Sequence, residues 1–161
     1  MNMGFLKCSV YLLVSGLASF VIGTLIPSRW FQADQKLFIC RAFERGGEIY
    51  TKLKIHVWKH RIPDMSKILP AFLPSKSLLS NSRENLPRMI QETCKAEFVH
   101  WVLCFTGFHC IHLWPGFGGA LISLLNFIGN LMYVIIQRYN RPRFCQIWSR
   151  YTERRQMRSI A

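Results

Sequence analysis

Between Phe98 and Ile136 the chain runs for 39 residues without one Asp, Glu, Lys or Arg. Charge is dense elsewhere: 161 residues carry 21 Lys plus Arg against 8 Asp plus Glu, a formal net charge of +13. A water-soluble fold has no reason to keep so long a stretch uncharged, whereas a hydrocarbon layer enforces it. The hydrophobic share of 50% also exceeds what a core of this size absorbs. An ordinary soluble enzyme, a disordered tail and a secreted disulfide scaffold are therefore disfavoured together. Cys8, Cys40, Cys94, Cys104, Cys110 and Cys145 form no CxxC pair, so neither a zinc knuckle nor a disulfide framework is signalled. They read as reduced thiols on a cytoplasmic face or inside a bilayer.

The uncharged stretch is too long for one span and is interrupted by Trp114-Pro115-Gly116-Phe117-Gly118-Gly119, a turn signal. It predicts a helical hairpin over 98–114 and 117–136. An earlier apolar run, 8–26, is closed by Pro27 and is long enough to cross a hydrocarbon core of about 30 Å, as a span or signal anchor. Ser15, Ser19 and Gly23 recur in it every four residues, a small-residue face that admits a neighbouring helix. A cleaved signal peptide is the rival reading, but no clean A-x-A site follows. The expected architecture is an all-α integral membrane protein, one membrane domain over 1–161. About three transmembrane helices flank an interfacial loop, 27–97, and a basic tail, 137–161.

Thirteen Lys and Arg fall in 27–97 and seven Arg in 137–161, leaving only Lys7 elsewhere. The positive-inside rule places both charged segments in the cytoplasm and the integral protein in the cell membrane. A hairpin returns to the side it left, so residues 97–100 and 137–143 are expected at one membrane face, with Glu97 and Arg138 at similar depth. Pro63, Pro70, Pro74 and Pro87 in the loop suit short helices and turns lying on the surface.

Polar residues cluster in three places. His60-x-x-x-Asp64 sets a carboxylate four positions after an imidazole, a pairing that can hold one tautomer for general-base work. A surface His beside a loop Asp is the bland reading. Glu97 and His100 lie about 60° apart on one helix face, where an ionisable pair entering a membrane is costly unless it does something; interfacial anchoring beside Trp101 is the alternative. Gln137-Arg138-Tyr139-Asn140-Arg141-Pro142-Arg143 supplies three guanidinium groups, which bind phosphate as a bidentate fork; a lipid-facing basic anchor is the competing account. Ser123, Asn126, Asn130 and Gln137 share one helical face, a polar stripe suited to interhelical hydrogen bonds. Glu97-x-x-His100 and His109-x-x-His112 raise a metal oxidase, but His109 lies about 13 Å further along the helix and on the opposite face. No metal site is expected, and His109 and His112 read as polar anchors near the outer interface. The arginines of the tail fit anionic lipid better than nucleic acid, for which no motif is present.

Taken together, the three clusters resemble one family, the small membrane acyltransferases typified by glycosyl-4,4'-diaponeurosporenoate acyltransferase. The matching pieces are Trp58-Lys59-His60 with Asp64, Met89-Ile90-Gln91-Glu92-Thr93 with Ala96-Glu97-Phe98-Val99-His100-Trp101, and Gln137 to Arg143. They run in order from about Ile26 to Trp148, fading between Met65 and Arg88. The resemblance implies transfer of a fatty acyl group from a thioester donor, with no cofactor, to the primary hydroxyl of a sugar on a carotenoid or similar glycolipid. On physical grounds, and not by transfer from the family, His60, oriented by Asp64, is the expected base and Glu97 with His100 the competing pair. Asn140 is the expected oxyanion donor, and Arg138, Arg141 and Arg143, with Gln137, are expected to hold the donor's phosphates. A non-catalytic scaffold for pigment enzymes is the alternative from another class.

Overall fold

The computed structural model describes residues 2–62 and 85–160, with the backbone alone at His60 and Ile160. In chain order the helices are α1 (Met3–Leu25), α2 (Glu48–Lys52), α3 (Ile55–Trp58), α4 (Leu86–Thr106), α5 (Cys110–Leu113) and α6 (Phe117–Ile160), with 3-10 turns at Ser28–Trp30, Ala42–Gly47, Lys59–Arg61 and Gly107–His109. No strand occurs among the described residues. Two helices, Met3–Leu25 and Phe117–Ser159, are long and apolar enough to cross a membrane. The chain forms two compact units, Met1–Pro27 with Lys95–Ile135 and Ser28–Cys94 with Ile136–Ala161.

In the first unit, α1 starts where the Asn2 side chain accepts the Gly4 N–H at 2.9 Å, an N-cap that satisfies one of the four orphan donors. It stops where Pro27 denies Ile26 the helical region, and Ile26 turns extended at ψ 125°. The helix begins earlier than the expected 8–26 because a capped polar end tolerates Lys7. Cys8, Tyr11, Ser15, Ser19 and Gly23 line its covered face, while Leu13, Val14, Leu17, Val21, Ile22 and Leu25 are exposed. That outward stripe is apolar, as contact with hydrocarbon requires. A Cβ on Gly23 would meet Val99 at 3.4 Å, an ordinary contact, so α1 and α4 lie against each other here.

The hairpin turn falls where the sequence placed it. Gly116 has φ +100°, open to glycine alone at low cost, and the Trp114 indole packs against Gly4 and Gly118. The helices depart from the expected spans: α4 starts at Leu86 but ends at Thr106, the stretch to 114 being finished by a 3-10 turn and α5, while α6 continues to Ile160. Two helices, and not the expected three, are of membrane-crossing length and hydropathy among the described residues. Pro142 sits inside α6; its ring nitrogen cannot donate to the Arg138 carbonyl.

In the second unit, Leu86, Met89 and Ile90 of α4 pack on Phe144 of α6, with Ala33, Cys145, Ile147 and Trp148 around them. The stretch from Ser28 to Ile62 is short helices and turns, whereas the end of the expected interfacial loop, from Leu86 on, belongs to the long helix α4. After Glu44 three successive residues are left-handed, Arg45 (φ 46°), Gly46 (φ 65°) and Gly47 (φ 96°). A Cβ on Gly47 would stand 3.5 Å from the Pro142 ring, which places this turn against α6.

Candidate functional site

Each unit holds a polar cluster. In the first, the α4 helix tightens into a 3-10 turn at Gly107, and the polar stripe of α6 answers the carbonyls around that change. Ser123 Oγ donates to the Gly107 carbonyl at 3.1 Å, and Asn126 Nδ2 to the Leu103 carbonyl at 2.9 Å. A Cβ on Gly107 would lie 2.0 Å from Asn126 Nδ2, so the amide occupies the room a side chain would need. Asn130 Nδ2 then donates to the backbone and side-chain oxygens of Asn126, at 3.0 and 3.1 Å. The expected interhelical use of Ser123, Asn126 and Asn130 is thus observed.

This chain of donors ends on His100. Because Asn130 spends its NH₂ on Asn126, its Oδ1 is the atom 3.0 Å from His100 Nδ1. An amide oxygen can only accept, so Nδ1 is the donor in this contact. The ring is held flat against Tyr133, centroids 4.6 Å apart at 6°. Glu97, one turn earlier on α4, is fully buried. It sits on the helix that carries the oriented imidazole.

The second cluster is built on α6. Glu44 is buried, 1% exposed, and receives the Tyr50 hydroxyl, the Arg41 N–H and the Arg138 guanidinium, whose Nη1 lies 2.9 and 3.1 Å from its two oxygens. Burial pushes the Glu44 carboxyl up, but these donors outweigh it and hold the group below its ordinary range. The same contact raises the Tyr50 hydroxyl, by burial first and by the neighbouring carboxylate second. Arg138 also donates from Nη2 to the Leu37 carbonyl at 2.8 Å. Arg141, 4% exposed, donates to the Phe38 carbonyl at 2.7 Å and to the hydroxyl and carbonyl of Thr93 at 3.2 and 3.3 Å. Two of the three expected phosphate ligands therefore tie residues 37–44 and α4 to α6. Arg143 differs: its guanidinium lies 3.5 Å over the Tyr139 ring and donates to Thr51 Oγ1 at 3.2 Å.

Asn140 accepts from Lys59 Nζ at 3.4 Å through Oδ1, and Gln137 is buried at 7% exposure. A cleft of about 290 Å³ opens beside this frame, lined by Phe38, Cys40, Glu44, Arg138, Arg141 and Cys145 among others. Burial raises both thiols; a coulombic effect of Glu44 adds to the rise at Cys40, and Arg141 partly offsets it at Cys145. Asp64 lies outside the described residues and so does the His60 side chain, although the His60 backbone forms part of the Lys59–Arg61 turn. His109 and His112 are exposed, their rings 5.9 Å apart, with Tyr11 5.0 Å from His109. Among the described residues no three His, Cys, Asp or Glu side chains gather as metal ligands would. The sequence reading missed Glu44, Tyr50 and Lys59. Only the i, i+4 spacing of Tyr139 and Arg143 was available as a signal for the ring that Lys59 also meets.

An all-helical protein with two apolar helices long enough to cross a membrane, an oriented imidazole and a cation-rich polar face has the make-up of a small membrane-associated enzyme. Comparison with known proteins narrows that class: the chain belongs to the glycosyl-4,4'-diaponeurosporenoate acyltransferase family, whose sequence model matches residues 27–150. It is by that membership an acyltransferase. Proteins named glycosyl-4,4'-diaponeurosporenoate acyltransferase from Staphylococcus aureus strains N315 and USA300 are each 30% identical to it over 150 residues, covering 87% of this chain and 85% of theirs. No solved structure matches.

Proposed function

We propose that this chain transfers a fatty acyl group from a thioester donor to the primary hydroxyl of a sugar carried by an apolar glycolipid, a glycosyl carotenoid of the kind its relatives are named for. Both substrates are amphiphiles, and a reaction at head-group depth leaves their tails in lipid. In this reading three spans cross the cell membrane: α1, the charge-free part of α4 continued through α5, and the first half of α6. Segments 27–97 and 137–161 face the cytoplasm, where an acyl thioester is available.

The observation that carries the chemistry is the 3.0 Å contact of His100 Nδ1 with Asn130 Oδ1, in an amide already oriented by Asn126. With Nδ1 as the donor of that contact, a neutral His100 takes the proton at Nε2. The sugar hydroxyl attacks the thioester carbonyl as Nε2 takes its proton. The C–S bond then breaks, and the departing thiolate recovers that proton. His60 with Asp64, the base expected from the sequence, is the competing reading.

The overall reaction is tested in cells that make the glycosyl carotenoid, by mass spectrometry of lipid extracts with and without the gene. The acyl ester is expected only with it. An unchanged lipid profile would favour a scaffold.

A further inference from the structure

Tyr139, 5% exposed, has two cations against its ring: the Arg143 guanidinium carbon at 3.5 Å from the centroid and Lys59 Nζ at 4.9 Å. Their other contacts are neutral. Lys59 meets Asn140 Oδ1 at 3.4 Å; Arg143 meets Thr51 Oγ1 at 3.2 Å and the Tyr139 carbonyl at 3.3 Å. Among the described residues neither is in ion-pair contact with a carboxylate, in contrast to Arg138 on Glu44. Burial first, and the nearby Arg143 charge second, push the Lys59 ammonium below its ordinary range. Three things relieve such a pair: a carboxylate, separation, or a bound anion. Separation is opposed by the shared ring and by the Asn140 and Thr51 contacts.

We propose that Lys59 and Arg143, with Asn140, form a binding site for a phosphate group. A phosphomonoester carries about −1.5 to −2 at neutral pH and so matches two cations, where a single carboxylate does not. Arg143 supplies a planar fork of N–H donors and Lys59 a point charge, the complementary pair that phosphate sites use. Asn140 gives its oxygen to Lys59, and its NH₂ is a further donor. The phosphate comes either from the carrier of the acyl thioester or from the head group of an anionic phospholipid. Assigning it to the donor rests on the acyl-transfer reading; the site itself does not.

The test uses the full chain in neutral detergent. Binding of coenzyme A is measured by calorimetry and retention of phosphatidylglycerol against phosphatidylcholine by native mass spectrometry, for the native protein and for Lys59→Gln with Arg143→Gln. A drop of tenfold or more in coenzyme A binding, with phosphatidylglycerol retention unchanged, assigns the phosphate to the donor. The reverse pattern assigns it to lipid, and either pattern supports the site. Arg143→Lys, which keeps the charge, is expected to lose less than the double variant. If the double variant does not insert, Lys59→Gln alone is read, with a threefold or larger drop expected in one assay. Both measurements unchanged in a variant with a native thermal transition overturn the proposal. Because neither assay needs turnover, that failure is distinct from an absence of ester in cells.

Discussion

Arg138 and Glu44, 94 residues apart in sequence, meet with one guanidinium nitrogen 2.9 and 3.1 Å from the two carboxylate oxygens. Removing one partner of a buried pair strands the other, at a cost of about 3 kcal/mol or more. Glu44→Gln is therefore expected to lower the thermal transition of the purified protein markedly and to free residues 37–47 for proteolysis. Arg138→Lys, which keeps the charge but not the fork, should cost less. A Glu44→Gln protein as stable and as protease-resistant as the native one would refute this anchoring role.

The pH dependence follows from the same carboxylate. Glu44 is held below its ordinary 4.5 when folded, so the unfolded chain binds its proton first as pH falls. The contribution is complete above that ordinary value and is lost as pH drops through the lowered folded one. Between about pH 6 and pH 3 the native thermal transition should fall more steeply than that of Glu44→Gln. Parallel curves would mean Glu44 is not the group responsible.

Gly107 and Asn126 make a packing prediction. Gly107→Ala puts a methyl group where the Asn126 amide lies, an overpacking expected to cost about 1–3 kcal/mol. Asn126→Ala alone frees the Leu103 carbonyl and should also destabilise. Combined, the two should cost less than the sum of the single changes, since the second makes room for the first. Strict additivity in thermal transitions would contradict the contact.

Thiol labelling tests the proposed orientation. Cys40 is exposed and Cys145 partly so, in segments assigned to the cytoplasm. A membrane-impermeant maleimide should leave both unmodified in intact cells and label Cys40 after permeabilisation. Cys145 should react more slowly, being more enclosed. Labelling of Cys40 from outside would invert the topology.

What the sequence disclosed and what it hid divide along physical lines. Absence of charge from Phe98 to Ile136 reports solvent directly, so the hairpin and its Gly116 turn were legible. The Ser123, Asn126 and Asn130 stripe was legible because helical periodicity places those residues on one face. Helix ends were not, since α4 and α6 run on through charged sequence that water accepts. The partners of Arg138 and Arg141 were hidden for another reason: they are a distant glutamate and the carbonyls of Leu37, Phe38 and Thr93. Backbone acceptors carry no sequence signature. A run of arginines looks the same whether it awaits a phosphate or ties down a loop.

The central claim is that His100, fixed as the Nδ1–H tautomer by Asn130, is the general base of acyl transfer. The direct measurement is the initial rate of ester formation by purified, reconstituted protein from an acyl thioester and the glycosyl carotenoid, read by mass spectrometry for His100→Ala, Asn130→Leu and His60→Ala. A positioned base contributes about 10²- to 10⁴-fold. His100→Ala is expected to lose that much, Asn130→Leu to lose a substantial part with its pH profile displaced, and His60→Ala to stay within a few-fold of native. Ester formed at the native rate by correctly inserted His100→Ala, or lost only in His60→Ala, would contradict the account.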